Sequence, residues 1–267
     1  MVVTAATFWR TWTVSRRAYP WTYFVGTVVT GVLTIGLAYL AFHAIGGGRV
    51  ADDFTAAVGS ADYLGYIAVG AAAFTFANRQ LLWAAKALIT EQREGTLAAL
   101  VVAPAGRFGY LVGFAVFSTL STLAEVAVVW LFAAFLGVRL PPLDLVAGLA
   151  AALVLAVAVF AMSIPLGALM IAAGEAHISQ NTVFLSLALL SGFTFPRTYL
   201  PQPAQWVAEL VPITRAMDAV RGALHHSAGL AEIAPHLGIA LVLSIGYAAA
   251  GLWWLPRAER RALQRSL

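Results

Sequence analysis

The chain has 267 residues, 61% of them hydrophobic and only 10% charged, with a mean hydropathy of +0.84. Ordinary soluble domains are about half apolar and about a quarter charged, so a water-soluble globule is excluded. There is no cysteine, which removes disulfides and thiolate metal sites. The formal charge of +4 sits beside apolar stretches, where Lys and Arg orient a membrane protein, and it argues for lipid rather than nucleic acid as the partner.

Residues 1–20 combine Phe8, Trp9 and Trp12 with Arg10, Arg16 and Arg17 and close on Pro20. That composition fits a helix lying in the membrane interface, with aromatics at the headgroups and arginines snorkelling. The apolar stretch that follows is too long for the core of a cleaved signal peptide and reads as an uncleaved first span.

At about 20 apolar residues per crossing, six spans are expected, over 22–44, 62–84, 108–137, 145–171, 178–196 and 236–256. The fold class is therefore an all-α integral membrane protein, a single transmembrane domain over 1–267. Pro165 is expected to kink the fourth span. The fifth is short and ends in Gly192-Phe193-Thr194-Phe195-Pro196; Trp253, Trp254 and Pro256 close the sixth.

Two polar interruptions stand out. In 88–107, Thr90, Glu91, Gln92, Arg93 and Glu94 are followed by Gly95, a short apolar run from Leu97 and a stop at Pro104; a short amphipathic helix outside the bilayer is expected. In 197–235, Trp206, Val207, Leu210, Ile213, Met217, Val220 and Leu224 recur at helical spacing, cut by Pro201, Pro203 and Pro212. Short helices at, or re-entering, the opposite leaflet are expected, capping a pathway.

Orientation follows from the cations. With the N-terminus inside, Arg10, Arg16, Arg17, Arg79, Lys86, Arg93, Arg107, Arg257, Arg260, Arg261 and Arg265 fall inside, against Arg49, Arg139, Arg197, Arg215 and Arg221 outside. Both termini and 88–107 are then cytoplasmic.

Candidate chemistry is sparse. No phosphate-binding Gly-x-x-x-x-Gly-Lys run occurs, and the single lysine, Lys86, precedes Ala87, so ATP chemistry would need another chain. No Gly-x-Ser-x-Gly or His-Glu-x-x-His occurs, and no metal ligand set is assigned. The adjacent His225 and His226 point apart on a helix and read as water-exposed loop residues. Glu125 lies deep in the third span amid Ser118, Thr119, Ser121 and Thr122. It reads either as a polar contact on a substrate route or dimer seam, or as a protonated carboxyl bonded to a neighbouring helix. Gly109 and Gly113 form a small-xxx-small pattern, a candidate close helix contact.

Glu94-Gly95-Thr96-Leu97 followed by Pro104 resembles the cytoplasmic segment of the type-2 exporter permeases of the ATP-binding-cassette superfamily. Ser191–Pro196, then Pro201, then Pro212-Ile213-Thr214, then Asp218 and Arg221, resembles the exofacial signature of the same family. Ala98, Ala103 and Val211 depart from that family's usual residues. The resemblance implies a bacterial plasma-membrane half-transporter that binds no cofactor itself. ATP and Mg would sit on a partner ATPase, present in two copies and contacted through Glu91, Arg93, Glu94, Gly95, Thr96, Leu97 and Pro104. It implies a second permease chain, identical or a sister, and an exit gate of Gly192, Phe193, Phe195, Pro196, Pro201, Pro212, Asp218 and Arg221; Glu125, from its own position, is the candidate on the substrate pathway. The resemblance also implies outward movement of a drug, antibiotic, lipid or lipid-linked polysaccharide. A proton-coupled carrier using Glu125 is the rival expectation.

Overall fold

The structure is a computed structural model and describes residues 2–18, 22–96, 106–138, 144–174, 182 and 186–265. Its labelled elements are helical: α1 (Val2–Ala18), α2 (Thr22–Leu40, prolonged by a wider turn over Ala41–Ile45), α3 (Asp52–Val58), α4 (Tyr63–Arg93), α5 (Gly106–Phe135), α6 (Leu145–Ala173), a single 3-10 turn (Arg197–Tyr199), α7 (Gln202–Glu209), α8 (Pro212–His225) and α9 (Leu230–Arg265).

Helix α6 is apolar around most of its circumference, which in water would be intolerable and here places it at the centre. It packs against α4, α8 and α9, while α5 lies on the far side of α4. Small residues permit the close approach. A Cβ on Gly167 would stand 3.1 Å from the Ala85 carbonyl oxygen of α4, and one on Gly251 of α9 would stand 2.7 Å from the Pro165 ring. Pro165 thus lies inside α6 with Gly251 leaving room for its ring. Asp144 caps α6 by accepting from the amides of Val146 and Ala147.

Among the described residues, three helices are long and apolar enough to cross a bilayer, Gly109–Phe135, Leu145–Ala173 and Leu230–Arg261; α3 and α4 make a fourth crossing if taken as one span bent by 54°. The protein is an all-helical, multi-pass membrane protein. Helix α2 is apolar along its length, and residues 178–181 and 183–185 of the expected fifth span fall outside the described residues.

Several boundaries differ from the sequence expectation. Helix α4 does not stop near Trp83 but continues to Arg93, so residues 88–93 are its last turns rather than a separate helix. No helix breaker occurs before Gly95, whose φ of +74° ends the run. Helix α9 passes through Pro256 to Arg265, because Leu255 and Ala258 are buried in the core and tertiary packing outweighs one lost backbone hydrogen bond. The loop 45–62 contains α3, whose first turn carries Asp52 and Asp53 where the helix dipole favours anions. Finally, the helical series 206–224 is two helices with different roles. Trp206, Val207 and Leu210 of the α7 region face outward, whereas Ile213, Met217 and Val220 of α8 are core residues. Pro212 at the first position of α8 separates them.

Candidate functional site

At 1.5 Å per residue, α4 is about 45 Å long, and polar clusters gather at both of its ends. The first is built where α1, the end of α4 and the start of α5 meet. Gly113 makes this possible: a Cβ there would lie 2.6 Å from the Thr4 carbonyl oxygen and 2.8 Å from Thr7 Cβ, while Gly109 faces Val3. The small-xxx-small pattern is therefore the seat of α1. Docked there, Arg10 Nη1 donates to Glu91 Oε1 at 2.7 Å, and the Tyr110 hydroxyl donates to the same oxygen at 2.9 Å. The Thr96 hydroxyl donates to Glu91 Oε2. Burial works against the Glu91 anion, but the bonds from Thr96, Arg10 and Tyr110 outweigh it and hold the carboxyl below its ordinary range. Arg10 is raised, chiefly by its hydrogen bond to Glu91. Glu91 is thus turned inward, a shared acceptor for three elements. Arg93, Glu94, Gly95 and Thr96 are exposed beside it, with Glu94 3.9 Å from Arg10. Leu97 and Pro104 lie outside the described residues.

Midway along the helices, Glu125 of α5 is completely buried and ion-paired at 2.5 Å with Arg79 of α4, itself 7% exposed. Arg79 also lies 5.2 Å from the Trp83 ring centroid. Gln80 donates to the Ala115 carbonyl nearby, and Thr122 to that of Ser118. Glu125 does bond a neighbouring helix, but through an ion pair with an arginine rather than as the protonated carboxyl expected. Removing either member of such a pair costs about 3–5 kcal/mol by stranding the other charge. The signal was available in the sequence: an arginine between Ala77 and Trp83, inside an apolar run, is an intramembrane charge in search of a counter-ion.

The other end of α4 meets residues 191–197 and α8. Gly192 has φ +68°, a conformation glycine adopts without strain, and the turn it makes presents the carbonyls of Gly192 and Phe193 to α8. Arg221, almost fully buried, donates to three main-chain oxygens: Tyr66 at 3.1 Å, Gly192 at 2.6 Å and Phe193 at 3.0 Å. Its guanidinium lies 3.3 Å from the Tyr66 ring centroid. Burial pulls Arg221 down to about 10, so it stays charged at neutral pH. Gly70 lets the backbones meet, since a Cβ there would fall within 1.7 Å of the Phe193 oxygen. Phe193 is buried against Phe74, Pro196 is buried, Phe195 is half-buried, and Pro201 is exposed at the start of α7.

Beside Arg221 runs a closed ring of alternating charges. Arg197 donates to both Asp218 oxygens, at 2.7 and 2.8 Å, and to Glu209 at 3.3 Å; Arg215 pairs with Glu209 and stands 3.7 Å from Asp218. His236 of α9 lies 3.8 Å from Asp218. Burial raises Asp218 above its ordinary value, partly offset by Arg197, His236 and Arg215. His225 is buried rather than a water-exposed loop residue, its Nε2 3.1 Å from the Asp62 carbonyl oxygen; His226 is exposed, and burial of its ring, then His225, lower it. Of the expected gate residues, Gly192, Phe193, Asp218 and Arg221 are brought together. Arg10, Tyr66, Arg79, Arg197, Glu209, Arg215 and His236 join the clusters unannounced by the motifs.

Comparison with known proteins adds one match and one absence. The family model described as ABC-2 type transporter matches residues 3–225. No curated protein matches the chain.

Proposed function

Because the chain belongs to the ABC-2 type transporter family, we propose that it is the membrane subunit of an exporter driven by a separate ATPase, moving an amphipathic drug-like or lipid-like compound outward. The family makes it a permease subunit of an ABC transporter, and such subunits normally work with an ATP-binding subunit. In the proposed assembly two ATPase copies hold ATP and Mg, and a second permease chain, identical or a sister, completes the pathway. Both termini face the cytoplasm of a bacterial cell.

The observation that supports coupling at residues 91–96 is the three-way junction on Glu91. A force on the exposed corner Arg93-Glu94-Gly95 reaches α1 through Arg10 and α5 through Tyr110. It also runs along α4, whose far end carries the Tyr66 carbonyl and Gly70 against residues 192–193 and Arg221. Nucleotide binding can shift the gate only by its differential affinity for the two arrangements. One continuous helix joining both junctions gives that difference a rigid path.

The test is the assembled complex with its ATPase. Glu94→Ala, or Gly95→Val, leaves the complex intact and ATP hydrolysis running while transport falls at least tenfold. Unimpaired transport by both variants rejects the assigned corner. Transport by this chain alone, driven by a pH gradient, rejects the ATPase altogether.

A further inference from the structure

A cavity of about 580 Å³ opens beside the charged ring, within the range of small-molecule sites. Its lining balances three arginines, Arg197, Arg215 and Arg221, against three acids, Glu209, Asp218 and Glu232. A lone anion or a lone cation gains little from a wall with no net charge, whereas a ligand carrying both signs finds complements for each. Polar groups on the wall still have bonding capacity. Ser191 is 2% exposed and its hydroxyl has no hydrogen-bond partner; Arg215 Nε and His236 Nδ1, on less buried side chains whose charges face Glu209 and Asp218, also make no hydrogen bond. Buried polar groups are ordinarily satisfied, so donors on one cavity wall are a built acceptor-binding surface.

Helix α7 supplies the second observation. Gln205 and Glu209 line the cavity, while Trp206, 65% exposed, Val207 and Leu210 face away from it. One helix therefore separates a polar chamber from an apolar outer face. We propose that the cavity binds the zwitterionic headgroup of a phospholipid-type amphiphile, a phosphate beside an ammonium, with its acyl chains along the outward face of α7. The phosphate is placed at Ser191, Arg215 Nε and His236, and the ammonium toward Glu209 and Glu232. This rests on the reading that residues 197–235 meet the outer leaflet, and it narrows the substrate class to amphiphiles that pause there.

The full-length chain is purified and returned to nanodiscs of phosphatidylethanolamine or of phosphatidylglycerol, and retained lipid is counted by native mass spectrometry. Phosphatidylethanolamine is retained at least tenfold better, and Ser191→Ala lowers retention of either lipid about tenfold, the worth of one hydrogen bond to the phosphate that both carry. Because the Ser191 hydroxyl bonds nothing in the protein, this variant keeps its thermal stability in lipid-free detergent; Arg215→Gln gives the same loss of retention as a second reading. Equal retention of both lipids, or no change in either variant, overturns the proposal. Free phosphoethanolamine competing as well as the lipid overturns the amphiphile assignment. No ATPase is involved, so failure here leaves the coupling reading standing. Labelling that finds Thr198 on the cytoplasmic side removes the outer-leaflet premise instead.

Discussion

The two ends of α4 solve the same problem in opposite ways. At the Glu91 end one carboxylate accepts from three side chains on α1, α5 and the segment after α4, and its arginine is half in solvent. At the Arg221 end one buried guanidinium donates to three main-chain oxygens. A carboxylate held by two exposed side chains and one buried tyrosine can be re-aimed more cheaply. A guanidinium holding main-chain carbonyls fixes the backbone, because those groups have no water to turn to. The contrast teaches that the Glu91 end can yield more easily, while the Arg221 end holds a shape.

The sharpest way to break the contrast is Arg221→Met. It removes three charge-assisted bonds, leaving Gly192 only the long one from the Tyr66 hydroxyl at 3.5 Å; at about 1–3 kcal/mol each, a loss on the order of 4 kcal/mol is expected in denaturant unfolding in detergent. A loss under about 1 kcal/mol would mean that the carbonyls are served otherwise.

Next come the two glycine contacts. Gly70→Ala drives a methyl into the Phe193 oxygen and Gly113→Ala drives one into Thr4. Overpacking costs about 1–3 kcal/mol, and Gly70 is expected at the top of that range because both sides of its contact are anchored. Gly113 is expected at the bottom, since α1 can lift away. Its measurable sign is faster proteolysis of α1 with the remaining helices intact.

Glu91→Gln keeps an acceptor for Tyr110 but removes the charge facing Arg10. With Arg10 53% exposed, solvent screening limits the stability loss to about 1 kcal/mol. The expected phenotype is functional: ATP hydrolysis persists while transport falls.

The smallest effect is in pH. Glu91 is held below 4.5, so its contribution is present above that value and is lost as pH falls through the lower folded value. Asp218 is raised above 3.8, so the folded state takes up its proton first and gains relative stability on acidification, while the Arg197 contact loses its anion. Acid should therefore act with opposite sign at the two ends, costing the Glu91 junction stability while protonation of Asp218 favours the folded state. Because the chain has no cysteine of its own, spin-label pairs at Thr198 and Leu230, and at Thr13 and Arg93, can follow each end separately. Equal loosening of both ends on acidification would erase the distinction.

What was legible in the sequence was whatever depends on composition and on runs of residues. The long apolar stretches became α5, α6 and α9, and the Arg- and Trp-bearing first segment became a helix. Gly95 ended α4, and the prolines at 201 and 212 opened two short helices. What escaped was which partner each residue meets where two distant segments decide together. Whether residues 88–93 leave α4 depended on Glu91 finding Arg10 and Tyr110. Whether Glu125 was a free acid depended on Arg79, 46 positions away. Whether Trp206 and Met217 belonged to one face depended on which helix the core accepted.

By itself, then, the sequence determined that this chain must live in lipid as helices, because each helix satisfies its own backbone and apolar runs count their own length. Only the tertiary structure decided which charges meet, because an ion pair or a carbonyl clamp is set by the distance between helices, and no local pattern encodes that distance.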